Sequence, residues 1–215
     1  MLYYLQKNGY NISYQIKSLE VAAMEQIGNK KKQGSIVETL RDAILSGSIP
    51  AETEMTQNEL AKSLEVSRMP VREALIILEY QGLVKRLPNN HVQAAGVSGA
   101  YLESLFSLCA HMESGELREK GRNADLPEDE MAFHRWIYRE CPFDLQKKIL
   151  ETITEIYILF AVTRSSYDKE RGRDYIAGIR EAAAQGNFGK VSLLYGEYFK
   201  FMEHTVVKER GRGEC

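Results

Sequence analysis

Two pairs of side chains in this sequence have the types and the spacing to do chemistry. Arg68 and Arg72 lie one helical turn apart in the stretch "SRMPVREAL", directly behind Glu65, Val66 and Ser67. That spacing sets both guanidinium groups along one edge of a helix. A guanidinium is a planar fork of N–H donors that bonds the O6 and N7 acceptors of guanine in pairs. Glu130 and His134 form the second pair, again at i and i+4. A carboxylate and an imidazole on one helical face make the beginning of a divalent-metal site, which normally takes three or four ligands.

The elements that must carry the arginines are legible around them. "TQNE" sets Thr56 as a helix N-cap with Glu59 three residues on, a capping box. A short helix follows, with Leu60, Ala61 and Leu64 apolar. Ser67 is placed to cap the next helix, and Pro70 falls in the first turn, where its missing N–H costs nothing. At about 100° per residue, Val71, Ala74, Leu75 and Leu78 share the packing face, and Arg68, Met69, Arg72, Ile76 and Glu79 lie on other faces. Upstream, Ser35 can cap a helix that presents Ile36, Leu40, Ala43 and Ile44, and "SGSIPAETEM" reads as turn. Downstream, Leu83–Arg86 and His91–Ala94 read as a small hairpin joined by "LPNN". Helix, short helix, tight turn, helix and hairpin is the order of a winged helix-turn-helix. In that arrangement the N-terminal end of the last helix meets base edges in the major groove.

Whole-chain properties bound the reading. A length of 215 residues fits one large domain or two small ones, and a formal net charge of -2 means that any nucleic-acid site is a local patch. Cys109, Cys141 and Cys215 are odd in number and lack C-x-x-C spacing, which speaks against a disulfide framework or zinc ribbon and for a reducing compartment. No apolar run reaches the roughly 20 residues of a membrane span. The first residues lack the order of a secretory signal, so the protein is expected to be cytoplasmic. Residues 1–34 read as an N-terminal extension. It is either a loosely packed arm or, through Lys30, Lys31 and Lys32, a basic one, and Met24 is an alternative start.

Past Gly96 the pattern is helical. Expected helices run from about Ser98 to Lys120, from Pro127 through "EDEMAFHRWIYRE", from Asp144 past Phe160, from about Lys169 to Gln185, and from near Asn187 into a frayed "KERGRGEC" tail. Leu102, Leu105, Phe106, Cys109 and Met112 are core candidates on the first of these. Leu145, Ile149, Ile153, Ile156, Tyr157 and Phe160 are expected to point inward on the third.

The stretch "VSRMPVREAL" followed by "GLVKR", within residues 35–97, resembles the GntR family of bacterial winged helix-turn-helix transcription regulators. The resemblance implies that Arg68 and Arg72 contact DNA with Ser67 and Met69 beside them, that Asn58 and Thr56 lie near the duplex, and that Asn89, Asn90 and His91 form the wing tip. Where members often carry a tip glycine, this chain has Pro88-Asn89-Asn90-His91, and asparagine tolerates the positive φ such a turn needs. The helical half is similar to the FCD domain of the FadR-like branch. There an aspartate and three histidines commonly hold a metal that anchors a carboxylate effector. Two of those positions fall on Glu130 and His134, and the other two fall near Ile176 and Tyr198.

The expected architecture is therefore mainly α: a winged helix-turn-helix of three helices and a small β-hairpin at 35–97, then an all-α bundle at 98–210 for effector binding and dimerisation. The expected partners are double-stranded DNA bearing a near-palindromic operator, a small-molecule effector, and a second copy of the chain, with no membrane. Glu130, His134, Tyr157, Ile176 and Tyr198 are the candidate effector pocket. No cofactor is assigned, and a divalent metal at Glu130 and His134 stays open. An enzyme is not expected. A metal-dependent hydrolase built on Glu130 and His134 would lack a third ligand, a nucleophile motif and a phosphate loop. A helical protein-interaction module is the other alternative.

Overall fold

The computed structural model describes residues 36–213. The expectations for the N-terminal arm, its lysines, Met24 and the Ser35 cap, and for Cys215, lie outside the described residues. The chain divides into two compact units, one ending at Gly96 and the other spanning Val97–Arg212.

The first unit opens with α1 (Ile36–Leu45), which buries Leu40, Ala43, Ile44 and Leu45. A two-residue strand β1 (Glu54–Met55) then leads into α2 (Gln57–Ser63) and α3 (Arg68–Tyr80). Strands β2 (Val84–Arg86) and β3 (Val92–Ala94) follow. The sheet has the order β1-β3-β2 and is antiparallel throughout, with Glu54 opposite Gln93 and Val84 opposite Ala94. The stretch expected as turn thus contributes a third strand. Two residues are too few to show a period of two, and Met55, 1% exposed, is held there by the core it enters.

The helices begin and end where local chemistry requires. Thr56 caps α2 in a complete capping box: its hydroxyl accepts the Glu59 N–H, and the Glu59 carboxylate accepts the Thr56 N–H at 2.9 Å. After α2 the Val66 N–H reaches back to the Ala61 carbonyl at 3.0 Å and the Glu65 N–H to that of Lys62 at 3.2 Å. This reversal needs a left-handed residue, and Glu65 takes it at φ 52. Gly82 does the same after α3 at φ 73, where no Cβ penalty arises. At the wing tip Asn90 adopts φ 63, and the Asn89 side-chain oxygen accepts the His91 N–H at 3.0 Å. The asparagine-rich tip therefore forms a turn without glycine.

The second unit is helical: α4 (Gly99–Lys120), a 3-10 turn (Gly121–Asn123), α5 (Glu130–Glu140) and α6 (Asp144–Ile153). A π-helical turn (Thr154–Ile158) joins α6 to α7 (Leu159–Val162), and α8 (Lys169–Ala184) and α9 (Phe188–Gly213) complete it. Ser98, Asp129 and Asp168 cap α4, α5 and α8 through their side-chain oxygens. Three expectations are corrected here. Helix α5 starts at Glu130 instead of Pro127, because Asp129 accepts the Ala132 N–H at 2.8 Å and stands as the cap. Leu145 is 72% exposed, not inward. The π turn breaks the 3.6-residue phase, so successive residues Ile156, Tyr157 and Ile158 are all buried and no single stripe runs from Leu145 to Phe160. Finally, the helix persists through Lys208 to Gly213 where a frayed tail was expected. Val206 is buried, and the Ser166 hydroxyl donates to the Glu209 carboxylate.

One ion pair clamps α5 to the π turn. Arg135 donates to both oxygens of Glu155, at 2.6 and 2.8 Å, and the Tyr138 hydroxyl donates to the same carboxylate at 3.2 Å. The bonds from Arg135 hold the Glu155 carboxyl below its ordinary value, against a smaller opposing effect of burial. A carboxyl with a depressed folded-state pKa stabilises the fold above its unfolded pKa, and that contribution is lost as pH falls through the folded one. Glu155→Gln is therefore expected to be less stable than the parent at pH 7. The gap between the two should close as pH drops below the ordinary carboxylate range, as read from urea unfolding at stepped pH.

Candidate nucleic-acid interface

Helix α3 is amphipathic in the sense the arginines require. Val71, Ala74, Leu75 and Leu78 are at most 3% exposed and carry its packing face. Ser67, Arg68, Met69 and Arg72 are all exposed at its N-terminal end. Ser67 stands at the N-cap with extended backbone, φ -72 and ψ 164, but its hydroxyl makes no capping bond, so it is not spent on the helix. The first-turn N–H groups of a helix carry partial positive charge and form a ready phosphate site. Two guanidinium groups, a hydroxyl and a helix N-terminus thus stand together on one outward edge.

The remaining expected contact residues differ in their commitments. Asn58 is exposed on α2. Thr56 is engaged within the protein: it donates its hydroxyl proton to Glu59 at 2.8 Å and accepts the Glu59 N–H at 3.1 Å. Its role here is to orient α2. On the wing, Asn89 and Asn90 are exposed, while His91 lies 3.5 Å from the Glu54 carboxylate. Arg86 pairs with Glu79 at 3.1 Å and fastens β2 to α3.

In the helical unit the structure brings together Glu130, His134 and Tyr198 and leaves Tyr157 apart. The Tyr157 hydroxyl instead meets that of Tyr101 at 2.9 Å, and Ile176 is buried without a polar atom to offer. His134, fully buried, lies between a carboxylate and a phenol. Its Nδ1 meets both oxygens of Glu113 at 2.8 and 3.0 Å, and its Nε2 meets the Tyr198 hydroxyl at 2.8 Å. Tyr198 and Tyr167 both donate to Glu130 Oε1, the former at 2.7 Å. Burial, and then Glu130, push both phenols above their usual range, so each stays protonated and donates. Tyr167 also lies against the backbone of Gly172, where any Cβ would collide with its hydroxyl.

This cluster does not suit a metal. The Tyr198 hydroxyl donates to Glu130 and also meets His134 Nε2, while Nδ1 meets Glu113. Both ring nitrogens are thus already engaged within the cluster. Among the described residues no group of three or more histidines, cysteines or acids is placed to hold one. Sequence reasoning passed over Glu113 and Tyr167 as members of this cluster. For Glu113 a signal existed: it falls in line with Leu102, Phe106, Cys109 and Leu117, all 0–1% exposed, so a carboxylate sits in a buried stripe.

Two outcomes are expected for this cluster. Tyr198→Phe strands a buried histidine nitrogen and removes one donor from Glu130. It should cost about 2–3 kcal/mol of stability, read by urea unfolding with Trp136 fluorescence. Zinc, nickel or a chelator should leave the melting midpoint of the parent protein unchanged, whereas a bound metal would raise it in proportion to its occupancy.

Comparison with known proteins places the first unit. Residues 32–92 match the model for bacterial regulatory proteins of the gntR family. An uncharacterized HTH-type transcriptional regulator in an unstable DNA locus of Streptomyces ambofaciens is 35% identical over 140 residues, which are 54% of this chain and 59% of that protein. An uncharacterized HTH-type regulator of Mycobacterium tuberculosis is 35% identical over 87 residues, 40% of this chain and 32% of its own length. The match therefore spans 59% of the length of the first of these relatives and 32% of the second. Lar, which controls the expression of the Listeria monocytogenes agr system, has a solved structure similar in fold, with TM-score 0.53 and 17% identity over 80% of this chain and 94% of that one. A GntR transcriptional regulator from Rhodococcus sp. RHA1 gives TM-score 0.50 and 16% identity over 80% of this chain and 96% of its own. Over residues 32–92 the chain is thus similar to the gntR family of bacterial regulatory proteins.

Proposed function

We propose that the protein is a sequence-specific DNA-binding transcription regulator acting in the cytoplasm as a homodimeric repressor. The observation that carries this reading is the placement of Arg68 and Arg72. They are exposed at the start of α3, behind the Glu65 reversal, on a helix whose opposite face is buried. Each arginine that bonds a guanine in pairs supplies roughly 1–3 kcal/mol of discrimination. Contacts to phosphates from Ser67, Asn58 and the wing residues Asn89, Asn90 and His91 add affinity that falls with salt. Two copies present two such helices to successive major-groove faces, so the preferred duplex is a near-palindrome.

The helical unit is read as an FCD-type effector domain of the FadR-like branch. Its helical composition and the shared face of Glu130 and His134 support that reading. The hydrogen-bonded closure around His134 directs the effector away from a metal-anchored carboxylate. An effector coupling of about 1–3 kcal/mol changes operator occupancy severalfold or more.

Selection of bound sequences from random duplex DNA tests the reading. The parent protein should return a near-palindrome containing guanines. Arg68→Ala and Arg72→Ala should each relax the preference at one guanine per half-site and weaken binding by about 5- to 150-fold, the range that 1–3 kcal/mol spans. An unchanged preference in both folded variants would reject direct reading by this pair.

A further inference from the structure

Helix α3 also carries an outward apolar line. Taking Met69 as the reference and advancing 100° per residue, Ile76 and Tyr80 return to within about 20° of it, opposite the buried Val71, Ala74, Leu75 and Leu78. Met69 is 59% exposed, Ile76 50% and Tyr80 74%. Both arginines lie along one side of this line, Arg72 about 60° and Arg68 about 100° from Met69. The centre of the outward face in the first turn is therefore apolar, and its edge is cationic.

Only the first turns of a recognition helix reach base edges, so Met69 qualifies, while Ile76 and Tyr80 lie two and three turns farther on. Pressing a thioether chain against a carbonyl or amino edge desolvates that edge without returning a hydrogen bond. The major groove offers one apolar group, the C5-methyl of thymine. Methionine is unbranched and polarizable, and it adapts to such a small target. Resting on the DNA-reading function proposed above, we infer that Met69 is a specificity-determining residue. It packs on the C5-methyl of a thymine next to a guanine read by Arg68 or Arg72. Each half-site then combines a guanine chosen by hydrogen bonds with a thymine chosen by its methyl group.

Deoxyuridine tests this directly, because it removes that methyl and leaves pairing and all hydrogen-bonding atoms in place. Each thymine of the selected duplex is replaced in turn, and binding of the full chain is measured by fluorescence anisotropy. Wild type should lose about fourfold in affinity at one thymine per half-site, the effect of one buried methyl group. Met69→Ser, a change at an exposed position that leaves the core untouched, should bind thymine and uracil duplexes equally. Indifference of the wild type at every thymine, a consensus without thymine, or a uracil penalty that persists in Met69→Ser would each overturn the inference while leaving the arginine reading intact. Failure to recover any preferred duplex would overturn both.

Discussion

The burial of one face of α3 is the constraint on which the outward surface bearing Arg68 and Arg72 depends. Val71, Ala74, Leu75 and Leu78 are almost fully removed from water, which at roughly 25 cal/mol per Å² of apolar area is the dominant local stabilisation. Once that face is committed, a rigid helix has no freedom over where the other side chains point. Arg68, Met69 and Arg72 are outward because their neighbours are inward. The short reversal at Glu65 completes the constraint, since it brings α2 and α3 together and starts α3 abruptly. An abrupt start leaves first-turn N–H groups and the Ser67 hydroxyl uncommitted.

The helical unit solves a different physical problem. It buries Glu113, Glu130 and His134, which alone would be costly, and offsets the cost by closing them into one hydrogen-bonded chain with Tyr167 and Tyr198. The chain crosses α4, α5, the segment before α8, and α9, so it ties together elements far apart in sequence. Gly172 belongs to the same design, because only a residue without a Cβ lets the Tyr167 hydroxyl approach. The hydroxyl of Tyr198 meets His134 and those of Tyr167 and Tyr198 meet Glu130, so phenols occupy the bonds that a cation at this pair would need.

Much of this was readable along the chain, for identifiable reasons. The capping box at Thr56 and Glu59, the amphipathic face of α3 and the wing hairpin all rest on interactions within a few residues of each other. The outward placement of Arg68, Met69 and Arg72 on α3 needed only the helical period. What escaped the reading was non-local or aperiodic. Strand β1 exists because β3 pairs with it across the chain from residue 54 to residue 93. No single buried stripe joins Leu145 to Phe160, because a π turn, which no short pattern announces, shifts the phase between α6 and the helix that follows it. The last helix outruns its expected end because Glu209 is held by Ser166, 43 residues earlier.

Periodicity, caps and turn residues act through neighbours on the chain, and for that reason the order of residues alone decided the winged module's helices and which of their faces turn outward. Burial of charge acts through neighbours in space. Whether His134 would meet a metal, a ligand or another side chain depended on Glu113 arriving from α4 and Tyr198 from α9, 21 and 64 residues away. No local rule carries that information, because the energy of a buried charge is set by the groups that the completed fold places around it.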